Sequence, residues 1–107
     1  MTTFYKNAAV DLTTTNVTVV YTAPAAKTAI FKSILVSNDS GSADTITLTL
    51  TNAAAAVFSL YKLEEVGALS TRELLDQPLV LETAEILKAQ AATAGRLHVV
   101  ASYMEIT

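Results

Sequence analysis

An eight-residue alternation of apolar and hydroxylated side chains constrains the fold of this chain more than any other feature. Residues 44–51 are DTITLTLT, so an extended backbone sends Ile46, Leu48 and Leu50 to one face and the threonines to the other. A helix would scatter both sets around its axis. Threonine and isoleucine also favour the pleated backbone, where β-branching costs little rotamer freedom. We therefore predict a β-strand here, with Ile46, Leu48 and Leu50 in the core.

The segment before this strand predicts a second strand over residues 28–38, TAIFKSILVSN. The polar residues 38–42, NDSGS, predict a turn that joins the two as an antiparallel hairpin. The first strand is apolar on both faces: Ile30, Ile34 and Val36 share one parity, and Ala29, Phe31 and Leu35 the other. Because such a strand is usually covered on both faces, we expect its second cover to come from another subunit.

The remaining patterns also predict short strands. Alternation favours strands over 17–22, 57–63, 86–91 and 96–106, whereas residues 4–12 fit either a first strand or an extended N-terminal arm within 1–12. Residues 70–73, STRE, match a helix capping box, but Pro78 follows too soon for more than about two turns. We prefer strands at 71–75 and 79–81. The prediction is a single domain, 1–107, folded as an antiparallel β-sandwich, Ig-like or jelly-roll-like, of about 7–9 strands.

Composition excludes several classes of protein. The chain has no cysteine, which excludes disulfide scaffolds, thiolate nucleophiles and cysteine-ligated zinc. Its net charge is −3 and its seven basic residues are scattered, so no nucleic-acid footprint is expected. No signal peptide is predicted, and the longest apolar stretch, residues 53–61, is about half of a membrane-spanning helix, so a soluble intracellular product is expected. Only 16% of residues are charged and 51% are hydrophobic, which favours self-association or docking to a larger surface.

Side chains that could perform chemistry are few and dispersed. The only histidine, His98, has the opposite parity to its apolar neighbours and should face outward. Glu64 with Glu65, and Glu82 with Glu85, supply two carboxylates each, fewer than an oxygen-ligated metal needs. The sequence shows no nucleophile elbow, glycine-rich phosphate loop or calcium-loop spacing. We therefore expect no catalytic residue, no metal and no cofactor.

The seven aromatic residues are interpreted chiefly as core, because they are not interleaved with basic residues on one face. Some could instead anchor an interface, since tyrosine and phenylalanine supply large contact areas for little lost side-chain entropy. The candidates combine an N-terminal pair with one predicted strand: Phe4, Tyr5, Phe58, Leu60 and Tyr61.

Four segments together resemble a known family. They are residues 20–30 (VYTAPAAKTAI), 33–38 (SILVSN), 78–82 (PLVLE) and 99–106 (VVASYMEI). This pattern is similar to that of small β-sandwich virion proteins of tailed bacteriophages, and the likeness covers most of the chain. Two positions depart from it. Ala26 stands where the family pattern has glycine, and residues 83–85, TAE, stand where it has a glycine-aspartate turn.

The resemblance implies a structural role in a virion. The expected function is a capsid decoration or cement protein that bridges major capsid protein subunits at the capsid surface after assembly in the host cytoplasm. The resemblance also implies a homo-oligomer, with a trimer as first choice, whereas the shortness of the longest apolar stretch is the reason to expect no membrane partner. A neck, tail or baseplate component is the first alternative. A carbohydrate- or receptor-binding module is the second, and it would need an exposed platform built from Tyr5, Phe58 and Tyr61.

Overall fold

The computed structural model describes residues 2–107 and contains nine β-strands. In chain order they are β1 (Thr3–Leu12), β2 (Thr18–Thr22), β3 (Thr28–Asn38), β4 (Asp44–Thr51), β5 (Val57–Val66), β6 (Ser70–Glu73), β7 (Leu79–Leu81), β8 (Ile86–Ala91) and β9 (Leu97–Ile106). The capping-box segment 70–73 is a strand, and residues 3–12 form a paired first strand in place of a free arm. Within residues 2–107, no helix is long and apolar enough to cross a membrane.

The strands form two antiparallel sheets. Sheet A has the order β1-β9-β3, and both β6 and β7 pair with the far side of β3. Sheet B has the order β2-β8-β4-β5. β1 packs beside β2 along one side of the sandwich, and β5 packs beside β6 along the other. This arrangement confirms the predicted antiparallel β-sandwich of seven to nine strands.

The predicted hairpin between β3 and β4 is wrong, although both strands exist. β3 pairs within sheet A and β4 pairs with β5 and β8 in sheet B, so residues 39–43 cross from one sheet to the other. Asn38, which is buried, holds this crossing. Its side-chain amide donates to the carbonyl of Ser42 at 2.8 Å and to that of Val66 at 3.2 Å, and its Oδ1 accepts the Ser40 amide at 3.0 Å. A polar turn looks the same in sequence whether it closes a hairpin or joins two sheets.

The two-sided apolar pattern of β3 has a local cause. A β-bulge lies between Phe31 and Ser33 in the pairing with β9, and the additional residue is the exposed Lys32. Residues before and after a bulge change parity, so Ala29 and Phe31 face the core, as do Ile34 and Val36. These buried residues therefore need no second subunit to cover them. The outward side chains of β3 form a separate surface, described below.

The core lies between the sheets and includes the alternation that opened the sequence analysis. Ile46 and Leu48 are fully buried, and Leu50 packs against the buried cluster from the edge, which confirms the prediction for β4. At one end of the sandwich, the rings of Tyr21, Phe31 and Tyr103 meet with centroid separations of 4.6–5.3 Å. These contacts bury aromatic area from both sheets and help to fix their relative position.

Candidate interaction surfaces

The outer face of sheet A carries an apolar row across four strands. Tyr5 on β1 pairs with Met104 on β9, Met104 with Ile30 on β3, and Ile30 with Val80 on β7. Directly opposed residues on a sheet point to the same face, so the four side chains are neighbours. Met104 and Ile30 are half-buried, whereas Tyr5 is 82% exposed and Val80 is 48% exposed.

A second apolar group lies further along the same outer face. Ala9, Val100 and Leu35 are paired across β1, β9 and β3, and all three are exposed. Lys32 lies on the strand between the two groups and is exposed at the bulge. Exposed apolar side chains that occur singly are ordinary on protein surfaces, but a contiguous set across several strands is typical of an interaction site.

The centre of the outer face of sheet B is hydroxylated, whereas its edge strands expose Val19 of β2 and Leu63 of β5. Thr45, Thr47 and Thr49 of β4 point outward, and their neighbours on β8 are Lys88 and Gln90. All five side chains are half-buried. A pocket of about 250 Å³ opens on this sheet and is lined by Thr15, Thr47, Leu63, Gln90, Ala91 and Ala92.

The five residues that the sequence offered as interface candidates fall on two edges. Phe4 and Tyr5 lie on β1, where Phe4 is 47% exposed and points to the side of Glu105, while Tyr5 points to the outer face. Phe58 and Leu60 lie exposed on β5, the edge of sheet B. Tyr61 of β5 is half-buried against the core, and its hydroxyl donates to the Leu74 carbonyl at 2.6 Å, so its phenol ring supports the fold.

The structure does not bring Tyr5, Phe58 and Tyr61 into one platform. β1 and β5 are edge strands of different sheets, on opposite sides of the sandwich. The three residues therefore do not form one shared stacking surface for a sugar.

Sequence reasoning missed most of the outer face of sheet A. A signal was present in the last strand, where Val100, Met104 and Ile106 share one parity while Leu97, Val99 and Ala101 share the other. β3 carries the same double pattern, partly masked by its bulge. Paired in register, these two strands place their outward apolar residues side by side. Ile30 and Leu35 were predicted only as part of a strand covered on both faces, and the residues that sequence reasoning missed are Val80, Val100, Met104 and Ile106.

A buried carboxylate organises the end of the sandwich below Phe4. Glu105 on β9 is almost fully buried and pairs with Lys6 Nζ at 2.7 Å and with Lys27 Nζ at 3.8 Å. The Tyr21 hydroxyl, from the other sheet, donates to its second oxygen. The hydrogen bonds from Lys6 and Tyr21 hold the pKa of Glu105 below its usual value although burial opposes this. The same carboxylate raises the pKa of Lys6, and burial together with it raises the pKa of Tyr21.

Glu73 plays a similar role at the other edge of sheet A. Its carboxylate accepts hydrogen bonds from the Ser33 hydroxyl, from the Ile34 amide at 2.7 Å and from the Leu75 amide at 3.2 Å. Burial alone would raise the pKa of Glu73, but these donors together lower it. The glutamate thereby ties the end of β6 to the backbone after the bulge of β3.

His98 faces outward, as its parity predicts. Its Nε2 lies 3.3 Å from an oxygen of Asp11, and its Nδ1 lies 3.9 Å from an oxygen of Asp39. His98 thus lies between two carboxylates, one from β1 and one from the 39–43 crossing. Within residues 2–107, no three histidine or carboxylate side chains are placed together as metal ligands.

Comparison with known proteins adds information about the fold. No protein-family model and no curated protein matches the sequence. A solved structure from Bacillus endospore appendages, described as disulfide-linked pili, matches 99% of this chain and 88% of its own, with a TM-score of 0.58 and 10% identity. A structure of infectious bursal disease virus, Gx strain, matches 96% of this chain and 28% of its own, with a TM-score of 0.48 and 10% identity. Because the identity is only 10%, the similarity to the appendage protein shows a shared sandwich fold alone.

Proposed function

We propose that this protein is a non-catalytic structural component of a virion, and that it acts as a capsid decoration or cement protein on the major capsid protein. The observation that carries the proposal is the outer face of sheet A, where two groups of exposed or half-buried apolar side chains lie across β1, β9, β3 and β7. A face of this kind gains free energy by being covered, and a shell of repeated subunits offers many equivalent places to cover it.

Two further observations support a structural role over an enzymatic one. Among the described residues, the two buried carboxylates, Glu105 and Asp44, are both engaged in hydrogen bonds or ion pairs that tie strands or turns together. The appendage protein that shares the fold is itself described as belonging to pili, which are assemblies of a structural kind. Its disulfide linkage has no counterpart here, because this chain has no cysteine.

Quantitative mass spectrometry of purified particles tests the proposal. A decoration protein should be present in a fixed, simple ratio to the major capsid protein. When particles are heated, its release should coincide with the loss of shell stability. A handful of copies per particle would assign it to the neck, tail or baseplate. Absence from particles would contradict the virion role altogether.

Shell binding in vitro gives a second test that requires no infected cell. Purified protein should co-sediment with shells assembled from the major capsid protein alone and should raise the temperature at which those shells disrupt, because a ligand that binds only the assembled form stabilises it by mass action. Saturation at a defined number of sites per shell is expected. Linear, unsaturable sedimentation would indicate non-specific adhesion of the apolar face.

A further inference from the structure

The four sheet edges of this sandwich differ in how they are protected from pairing with other chains. β2 has five residues and a register shift between Val19 and Tyr21. β5 has two register shifts against β4, and Leu63 within it adopts a positive φ of 53°. β6 and β7 share one edge as pieces of four and three residues, separated by a segment that contains Pro78. Short strands, bulges and proline are the usual devices that block edge-to-edge pairing.

β1 is neither short nor bulged and has no proline, and its one lysine, Lys6, is neutralised by the ion pair with Glu105. It runs for ten residues in continuous register with β9, from Thr3 opposite Ile106 to Leu12 opposite Leu97. Within residues 2–107, its other side forms no strand pairing, and its principal neighbour there is β2 of the other sheet, which packs beside it. It contains no proline or glycine, and its aromatic residues Phe4 and Tyr5 are exposed on opposite faces. A long, regular and partly apolar edge is a template for another strand.

We propose that β1 pairs antiparallel with β1 of a second copy, around a two-fold axis normal to the sheet, so that two copies of sheet A become one continuous sheet. Such an axis preserves the faces of the sheet, so each residue opposes a residue of its own parity. The residue numbers of each opposed pair therefore add up to the same even number. Half of that number is the residue that lies opposite its own copy, and the two-fold axis passes between these two copies. This pairing does not depend on the proposed capsid role.

The side chains favour an axis at Asn7. An axis at Lys6 would place two like charges directly opposite each other. An axis at Ala8 would oppose Phe4 to Leu12, which is fully buried in its own core. With the axis at Asn7, Phe4 lies against Val10 of the second copy and Tyr5 lies against Ala9.

This register also spares the charged residues of β1. Lys6 meets Ala8 of the second copy, and Asp11 meets Thr3, so no like charges oppose each other in a direct pair. Lys6 keeps its ion pair with Glu105, which lies on the β9 side of the strand. The two Asn7 side chains face each other on the outer face and can exchange hydrogen bonds.

The area available is adequate for a reversible dimer. Taking about 200 Å² for a free aromatic side chain, the exposed fractions of Phe4 (47%) and Tyr5 (82%) leave roughly 250 Å² to bury in each copy. The two copies together supply roughly 500 Å² from these rings alone, against about 1,200 Å² for the lower end of stable interfaces. The paired backbones add to this area, and an interface at or below that limit fits a dimer that dissociates on dilution.

Introducing a charge at Asn7, the residue at the proposed axis, tests both the pairing surface and its register. Sedimentation equilibrium of the wild-type protein should show a monomer–dimer equilibrium. Asn7→Lys and Asn7→Glu should each weaken self-association by at least about tenfold, because the two-fold axis places each new charge against its own copy. An equimolar mixture of the two variants should restore the dimer as a heterodimer. Ser102→Lys is the matched control, since Ser102 is paired with Asn7 on the same face but lies on the interior strand β9.

Cysteine cross-linking provides an independent measurement in a chain without other cysteines. Opposed residues of antiparallel strands have Cα atoms about 4.5–5.5 Å apart, within the range that a disulfide spans. Asn7→Cys should therefore form a disulfide-linked dimer rapidly under mild oxidation at a dilute concentration, and Ser102→Cys should not. A wild-type protein that stays monomeric at its highest soluble concentration, or one that forms a trimer, overturns the proposal. Equal behaviour of the Asn7 and Ser102 variants in both assays does the same.

Discussion

The outer faces of the two sheets are built from similar strands but have different chemistry. On sheet B the outward positions of β4 are threonines beside Lys88 and Gln90, so water satisfies the face. On sheet A the corresponding positions of β3 and β9 are Ile30, Leu35, Val100 and Met104. Both sheets bury the same kind of aliphatic inner face, so the core does not require this difference. Sheet A thus carries its outward apolar side chains on the interior strands β3 and β9, whereas sheet B exposes apolar side chains on its edge strands, such as Val19 of β2 and Leu63 of β5.

A strand whose sequence is apolar at both parities can have two structural causes, and β3 shows both. In β3, part of the pattern comes from the bulge at Lys32, which turns both Phe31 and Ile34 toward the core. The rest is real outward apolar surface. β4 has no such change of parity. Its inward residues Ile46, Leu48 and Leu50 keep one parity, so the alternation in the sequence corresponds directly to the two faces of the strand.

The largest expected effect separates the two faces of β4. Leu48→Asp should prevent folding, because an aspartate at a fully buried position with no cationic partner loses more than about 4 kcal/mol of a total stability of about 5–15 kcal/mol. Thr49→Asp, one residue further on and outward beside Lys88, should change the free energy of unfolding by less than about 1 kcal/mol. Urea unfolding followed by circular dichroism measures both. A folded Leu48→Asp protein of wild-type stability would remove β4 from the core.

Acid should weaken sheet A through its two engaged glutamates. The pKa of Glu105 and that of Glu73 are both below the ordinary value of 4.5, so each carboxylate favours the folded state above that value. That stability is lost as the pH falls below about 4.5 and through the folded-state pKa. Thermal melts between pH 6 and pH 3 should show a falling Tm, and Glu105→Gln should have a lower Tm at pH 6 but a shallower fall with acid. A parallel fall in both proteins would show that other groups cause the acid sensitivity.

Exchanging the chemistry of the two outer faces should change docking more than stability. Replacing Leu35 and Val100 with threonine makes sheet A resemble sheet B, and each site is already about 40% exposed, so the free energy of unfolding should change by about 1 kcal/mol or less per site. Binding to assembled shells should weaken by at least about tenfold, because apolar area available for burial is lost. Thr49→Val, which makes sheet B more apolar, is the control and should leave shell binding unchanged. Co-sedimentation with shells compares the three proteins.

Sequence alone predicted the class of fold and the inward residues of β4, because period-two alternation is a local signal. It failed on the pairing of β3 with β4, since residues 38–42 have turn chemistry in either topology and only the buried contacts of Asn38 distinguish them. It named Phe4 and Tyr5 but not Met104 or Val80, because those two join the surface only through pairing between strands distant in sequence. The bulge at Lys32 was likewise invisible, as it exists only in the register with β9.

The smallest expected effect concerns the links that join the two sheets. Ala26, between β2 and β3, and Ala84, between β7 and β8, have φ values of 60° and 70°, where a Cβ atom is strained. These are the positions at which the phage-protein pattern carries glycine or a glycine-containing turn. Ala26→Gly and Ala84→Gly should each stabilise the protein by roughly 0.5–1 kcal/mol, because relief of strain exceeds the extra entropy that glycine gives the unfolded chain. Ala25→Gly, adjacent but without a positive φ, should be neutral or destabilising, and thermal melts of the three variants measure the difference. If Ala25→Gly stabilises as much as Ala26→Gly, left-handed strain at the links is not the cause.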